Sequence, residues 1–395
     1  VKVAIVGGGP AGTTTALSLV AEAPELAGQI VLFEKARFPR DKPCAGAIGG
    51  RGDALLEAMG VVVDVPSVVI DGVSVRTREA DVTVAPGRVG RVVRRIEFDH
   101  ALARAAAARG ILLRDGVAVE AIEDDGAAVH LETAAGAFKA DVVVGCDGVG
   151  SLVRRSLGVS PGLLRAQVIE VDTPPVASDR ARNVIHFDAF DRTLPGYIWD
   201  FPTLVAGEPL VCRGVYWVKT GERAGPDLSS ILDRRLAALG AEGAGRRKRY
   251  AERGFERATR YAAGRCMLVG EAAGIDALTG EGIAQAIECG VLAGRYLARK
   301  LRGRARPPFD VTDWHDELHR SRLARDLARR ASILGLYHGP WRDEIERFFA
   351  ACPLALDVGA LHFAARPIPW PDVAEVVARG LAHGMASGIR VALER

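Results

Sequence analysis

The sequence predicts an α/β fold, α+β overall: a parallel sheet with crossover helices, an inserted antiparallel β-sheet and a set of C-terminal helices. Three observations carry this. An apolar strand, Val1 to Val6, runs unbroken into a Gly-x-Gly-x-x-Gly turn at Gly7, Gly9 and Gly12, and a helix-forming stretch follows from Thr13 to Ala23. A second apolar strand, Gln29 to Phe33, ends in the acid Glu34. Two later stretches, Ala140 to Cys146 and Cys266 to Val269, are again apolar in their middle and each delivers a small-residue loop. Strands of that kind belong to a parallel sheet covered on both faces.

The first motif has a mechanical reading. Gly7 lets the chain turn sharply, Gly9 lets the backbone approach a pyrophosphate, and Gly12 lets helix and strand pack closely. The diphosphate is expected on unpaired N–H groups at the helix start, beside Pro10 and Ala11. Glu34 stands about 20 residues past the turn, where an acid accepts from a ribose 2′-OH. Together these describe a Rossmann-type unit, and Glu34 argues against a 2′-phosphate, hence for FAD or NAD rather than NADP; Lys35 beside it is expected in the same cofactor site.

At 395 residues the chain is long for one core, and two or three domains are expected. Hydrophobic residues at 49% and charged residues at 26% describe an ordinary globular protein. A net charge of +3 is too small to imply a nucleic-acid partner. The six cysteines are scattered, with no Cys-x-x-Cys pair and no Cys/His spacing, so neither a metal site nor a disulfide framework is expected. With no apolar run of about 20 residues, the expectation is a cytoplasmic protein that does not span a membrane.

The elements follow in order. Lys35 to Ala47 is basic and broken by prolines, a loop that can lay backbone against a flat ligand. Arg51 to Met59 predicts a short helix. From Val61 to Arg88, Val68, Ile70, Val73, Val75, Val82 and Val84 alternate with polar residues and predict strands. Arg91 to Asp99 leads into an Ala-rich helix, His100 to Arg109, and a hairpin-like β stretch runs from Ile111 to Lys139. After the strand to Cys146 come Asp147 and Gly148 and a helix carrying Ser151, Val153 and Arg154. Arg165 to Phe255 predicts strands again, with one helix from Leu228 to Leu239. Within it Tyr197, Trp199 and Phe201 alternate, so on a strand they share one face. They predict either core or a deliberate apolar wall.

Leu278 to Ile283 then enters a helix, Ala284 to Arg302; Gly280 and Gly282 at its start leave N–H groups free for an anionic or carbonyl-bearing ligand. Arg304 to Pro308 is a linker, and Trp314 to Arg395 is mostly helical. Its basic run, Arg320 to Arg330, predicts a solvated helix face, with peripheral membrane contact as the alternative. The division that follows is 1–60, 88–165 and 258–305 for the nucleotide domain, 61–87 and 166–257 for the β-sheet substrate domain, and 306–395 for the C-terminal helices.

The Gly7–Gly12 turn with Glu34, the stretch Gly145-Cys146-Asp147-Gly148 with Ser151 and Arg154, and Gly270-Glu271-Ala272-Ala273-Gly274 together resemble the two-domain FAD-dependent oxidoreductases of the aromatic-hydroxylase type. That resemblance implies that Asp147 with Gly148, and Glu271 with Gly270, hold the pyrophosphate and ribityl chain of FAD. The chain carries Glu271 where the family usually has Asp. Within the superfamily the sequence is most similar to the geranylgeranyl reductase group, through Lys42-Pro43-Cys44-Ala45-Gly46, Leu278-Thr279-Gly280-Glu281-Gly282-Ile283, and Pro195 to Pro202, similar to a Tyr-x-Trp-x-Phe-Pro motif. Arg95-Ile96-Glu97-Phe98-Asp99 matches that group's Arg-x-x-Phe-Asp, which implies that Arg95 lies near FAD. Ala45 and Ala47 depart from the glycine-rich form of the loop, and each methyl narrows the room beside the flavin.

The resemblance implies an isoalloxazine between a Rossmann-type domain and a β-sheet lid, with Ile283 and the Gly280–Gly282 turn beside FAD. Tyr197, Trp199 and Phe201 would face it across a cavity suited to an apolar small molecule. Cys44 would lie near the ring, either as a catalytic residue or as a small buried spacer. Two reactions remain open: hydride transfer to an alkene, as in geranylgeranyl reductases, or an NAD(P)H- and O2-dependent monooxygenation through a C4a-hydroperoxide. Halogenation is disfavoured because Ser67 to Val84 contains no lysine. A non-catalytic flavin-binding protein would need no aromatic wall.

Overall fold

The computed structural model describes residues 2–219, 225–241, 245–276, 279–302, 309–339 and 341–393, with side chains in the last helix as far as residue 385. The linker expected at 304–308 and Leu278 lie outside these.

The first strand, Val3–Val6, is buried along its whole length at the centre of a six-stranded sheet. It pairs in parallel with Ile30–Glu34 on one side and Val142–Gly145 on the other. Leu112–Asp115 and Cys266–Leu268 continue the parallel set outward, and Ala262–Ala263 closes one edge antiparallel. The carboxyl ends of three neighbouring strands therefore open onto Gly7, Glu34 and Cys146–Asp147. That edge is where ligands of open α/β sheets bind.

Helices Pro10–Glu22 and Gly282–Leu301 pack on this sheet against each other, at backbone contact. A Cβ on Gly290 would stand 2.1 Å from Thr14 Oγ1, and one on Gly294 would stand 2.6 Å from Ser18 Cβ. Ser18 Oγ donates to the Val291 carbonyl across the same seam at 2.9 Å, so its buried hydroxyl is satisfied. The first helix begins at Pro10 rather than Thr13, because proline's missing N–H and fixed φ suit the first helical position. Helix Arg95–Ala108 likewise starts five residues before the expected His100. Its first turn carries Phe98 and Asp99, both fully buried, so tertiary burial extends it.

The hairpin expected over 111–139 divides in two. Leu112–Asp115 joins the parallel sheet, whereas Val119–Asp124, Val129–Thr133 and Gly136–Ala140 form a separate three-stranded sheet. A small sheet of Ala47–Gly49, Gly90–Val93 and Ser67–Ile70 takes a strand from the first β region. The rest joins the seven-stranded sheet, ordered Lys248–Arg253, Arg165–Thr173, Glu208–Lys219, Gly196–Val205, Val184–Asp188, Gly72–Arg76 and Asp81–Val84. All its pairs are antiparallel except Val184–Asp188 with Gly72–Arg76.

Alternation along these strands sorts the side chains. Ile169, Val171, Val215 and Trp217 meet helix Leu228–Leu239 on the outer face. Val168, Trp199, Phe201 and Tyr216 point to the other. Helices Trp314–Arg320, Arg322–Tyr337, Arg342–Ala351, Leu354–Phe363 and Trp370–Leu393 complete the described chain. The fourth closes on Gly49 and Gly50, where added Cβ atoms would meet the carbonyls of Phe363 and Ala364 at 2.4 and 2.3 Å. Among the described residues, no helix is long and apolar enough to cross a membrane.

The helix seam predicts a specific sensitivity. Gly294→Leu forces four carbons into a backbone contact and should cost at least the ~1–3 kcal/mol typical of overpacking. The expected result is a lowered thermal midpoint by circular dichroism, and an unchanged midpoint would contradict the contact.

Candidate active site

A cavity of about 950 Å3 lies between the parallel sheet's carboxyl edge and the inner face of the seven-stranded sheet. That is at the top of the range of roughly 300–1,000 Å3 usual for small-molecule sites. Eighteen of the twenty site residues expected from sequence line it: Gly7, Gly9, Pro10, Ala11, Glu34, Lys35, Cys44, Ala45, Arg95, Asp147, Gly148, Glu271, Gly280, Gly282, Ile283, Tyr197, Trp199 and Phe201. Gly12 and Gly270 do not. A Cβ on Gly12 would stand 1.9 Å from the Gly7 carbonyl oxygen, and one on Gly270 2.4 Å from the Ala11 Cβ. These two glycines admit neighbouring atoms, and the ligand surface is formed by others.

The turn is held open by its own neighbours. Gly7 has φ +111, and a Cβ there would meet the Cys146 carbonyl oxygen at 2.3 Å. No side chain caps the helix that begins at Pro10, so its first N–H groups remain available to an anion. The point where a Gly9 Cβ would sit is 3.8 Å from guanidinium nitrogens of both Arg40 and Arg95. Arg95 is bidentate to the fully buried Asp99 at 2.7 Å twice, and Arg40 reaches the same carboxylate at 2.7 Å. Arg40 also donates to Glu34 at 3.2 Å.

Glu34 is itself buried, accepting from the N–H groups of Gly8 and Ala36 at 3.1 Å each. A carboxylate has about four acceptor sites, so capacity for a ribose hydroxyl remains. Open space surrounds Gly148 and Gly282. These features fit FAD: free helix N–H groups and two guanidinium groups for the diphosphate, an acid for the ribose, and bare backbone where flat or branched parts pass.

Asp147 is busier than its family counterpart implies. Its carboxylate accepts from Ser151 Oγ at 2.5 Å and from Leu152 N at 2.6 Å, capping helix Leu152–Ser156. Glu271 has more freedom, with Oε1 accepting from Arg253 N at 2.5 Å. Burial lifts its carboxyl to about 7, against the opposing pull of the Arg253 N–H and of Lys42. Glu170, on the neighbouring sheet, accepts from Cys44 N at 3.0 Å and is also lifted to about 7, chiefly by burial and then by Asp172. Cys44 is thereby positioned through its backbone at the cavity wall.

Opposite stands an aromatic cluster. Tyr197, Trp199 and Phe201 share one face as their spacing requires, and Phe187 meets Tyr197 and Phe201 edge-on at 5.2 and 5.1 Å. Tyr216 stacks on Tyr197 at 5.0 Å. The wall is both core and lining, for Trp199 is 2% exposed yet borders the cavity. Tyr197 Oη donates to the Thr279 carbonyl at 2.9 Å, tying the sheet to the loop that starts helix Gly282–Leu301.

Sequence reasoning left several liners unassigned. Tyr216 and Phe187 follow from the same alternation on neighbouring strands and were legible once pairing was known. Arg330, Leu356 and Phe363 come from the C-terminal helices, which carry no motif. Arg330 also corrects the reading of the basic run. Arg320, Arg322, Arg325 and Arg329 are exposed as expected, but Arg330 turns inward and pairs with Glu281. Among the described residues no cluster of His, Cys, Asp and Glu could hold a metal.

The raised Glu271 carboxyl sets a pH signature. The native protein holds a proton that the unfolded chain releases between about pH 4.5 and about 7, so this group's contribution to stability falls as pH rises through that window. Glu271→Gln should therefore flatten the decline in denaturation midpoint across those pH values in the cofactor-free protein. Parallel declines in both proteins would contradict the assignment.

Comparison with known proteins agrees with this geometry. The family model described as "FAD binding domain" matches residues 1–325. The menaquinone reductase of Mycolicibacterium smegmatis is 30% identical over 75% of this chain and 76% of that protein. The digeranylgeranylglycerophospholipid reductase of Methanosarcina mazei is 28% identical over 74% of each. A geranylgeranyl bacteriochlorophyll reductase-like protein from Thermoplasma acidophilum has the same fold, with a TM-score of 0.74 at 19% identity over 95% of both chains. With a cavity that suits the dinucleotide and a family match across its whole frame, the chain belongs to the FAD binding domain family and is an FAD-dependent oxidoreductase of the aromatic-hydroxylase type.

Proposed function

We propose that the protein reduces a carbon–carbon double bond in a long, largely apolar, prenyl-type substrate. The observation that carries this is the continuity of one cavity from the Gly7–Gly12 turn to the Tyr197–Trp199–Phe201 wall. Bound flavin supplies hydride chemistry, with NAD(P)H as the proposed source of electrons; the residues supply position and exclusion of water. On this reading residues 1–60, 88–165 and 258–305 carry FAD, with the diphosphate at Gly9, Pro10 and Ala11 and the ribose at Glu34.

Residues 61–87 and 166–257 then carry the substrate, which lies along the aromatic face between Trp199 and Cys44. Leu356, Ala360 and Phe363 add apolar surface to the same cavity from the C-terminal helices. The names of the two curated relatives, a menaquinone reductase and a digeranylgeranylglycerophospholipid reductase, support an isoprenoid substrate. Cys44 is assigned a spacing role, with its backbone N–H held by Glu170.

Two outcomes test the reading. Anaerobic single turnover of the dithionite-reduced holoprotein with geranylgeraniol should reoxidise the flavin and yield product two hydrogens heavier; unreacted geranylgeraniol and menaquinone would contradict it. Trp199→Ala removes a large apolar surface, costing ~3–5 kcal/mol as a core truncation. It should raise KM for the prenyl substrate at least tenfold while FAD stays bound, and an unchanged KM would remove the wall from the substrate site.

A further inference from the structure

A hydroxyl group that touches two carboxylates counts protons. Tyr216 Oη lies 2.8 Å from Glu252 Oε2 and 3.1 Å from Asp276 Oδ2. It carries one hydrogen, so it can donate to one carboxyl only and must accept from the other. One of the two acids is therefore protonated. Asp276 is 1% exposed and already accepts from the N–H groups of Thr279 and Gly280 at 3.3 and 3.2 Å, so its two oxygens are both engaged as acceptors. Tyr216 thus donates to Asp276, and the Glu252 O–H donates to Tyr216.

The surroundings agree. Burial first, and then the charge of Asp276, push the Glu252 carboxyl well above the usual carboxylate range. The same burial and the same two acids push the Tyr216 phenol up, so it keeps its hydrogen. The other groups facing this cluster are Glu271, Tyr197 and, beyond Glu271, Lys42 and Arg253. Among the described residues neither cation forms an ion pair with Glu252; the Arg253 guanidinium goes instead to Pro161, Ala272 and Thr259. Glu252 lies on the edge strand Lys248–Arg253 and borders the cavity, whereas Asp276 is sealed behind it.

We infer that Glu252, held protonated by Tyr216 and Asp276, is the acid that supplies the proton when the substrate double bond is reduced. This rests on the reductase reading above. In the balanced step, one alkene carbon receives the hydride carried by reduced flavin, which is thereby oxidised by two electrons. The Glu252 O–H bond breaks, its proton forms the new C–H bond at the other carbon, and the π bond is consumed. The resulting carboxylate regains a proton from solvent once product has left the cavity. Tyr216 is a positioning residue, and Asp276 keeps it aligned while fixing the Thr279–Gly280 loop.

The proton can be observed without turnover. Infrared spectra of the FAD-loaded protein at about pH 9 should keep one carboxylic-acid C=O band, since Glu170 and Glu271, at about 7, are ionised there. The band should shift in heavy water and vanish in Glu252→Gln. Tyr216→Phe should move it, because its hydrogen-bond partner is gone. Reduced Glu252→Gln holoprotein, with FAD bound as in wild type, should convert geranylgeraniol at least ~100-fold more slowly, the lower bound for losing a general acid. A band that survives Glu252→Gln overturns the assignment of the proton, and wild-type turnover by that variant overturns its delivery. A wild type that shows the band yet leaves every prenyl probe unreduced sinks the delivery step together with the reductase reading, while the shared proton stands.

Discussion

Backbone meets backbone at Gly7. The Cys146 carbonyl comes so close to its Cα that any side chain would overlap it, and the Gly7 carbonyl in turn fills the space beside Gly12. This double approach locks the end of the first strand to the end of Val142–Gly145 and to the first turn of helix Pro10–Glu22. The helix N–H groups, Glu34 and the Asp147 loop are brought to one edge by it. Close packing of helix Gly282–Leu301 at Gly290 and Gly294 extends the same principle, placing the Gly280–Gly282 turn against the first motif. The cofactor site is a consequence of where side chains are absent.

The opposite wall is built by the reverse means. Large side chains on alternate positions of antiparallel strands make an apolar face, and buried ion pairs flank it on both sides of the sheet. Arg213, fully buried, is held by Thr173, Asp179 and Asp200. Arg94 is bidentate to Asp172 at 3.0 Å. Such pairs contribute little net stability once desolvation is counted, but leaving either partner alone is costly. They fix the sheet's register and so the positions of Tyr197, Trp199 and Phe201. Tyr197 and Tyr216 then tie this wall to Thr279 and Asp276, in the segment that leads into helix Gly282–Leu301.

Much of this was legible in sequence because local chemistry dictated it. The Gly7–Gly12 turn, Glu34 and the three alternating aromatics are each explained by backbone sterics or period-two geometry, and all reach the cavity. Helix Leu228–Leu239 sits where it was expected, since Asp227 caps its start and Gly240 takes the left-handed conformation at its end. The failures have the opposite character. Helix Arg95–Ala108 begins early because Phe98 and Asp99 are buried by distant segments. Leu112–Asp115 leaves its apparent hairpin because the parallel sheet has room for another strand. Arg330, Leu356 and Phe363 reach the site through packing of helices that carry no local motif, and the Glu252–Tyr216–Asp276 cluster joins three segments far apart in the chain.

On the proposed function, one cavity holds flavin and substrate face to face. A crystal structure of the FAD-loaded protein tests it most directly. The diphosphate is expected against the N-terminus of helix Pro10–Glu22 near Gly9, the adenosine ribose on Glu34, and the ring between the Cys44 loop and the Trp199 face. A ring lying outside that cavity, or a diphosphate bound elsewhere, would contradict it.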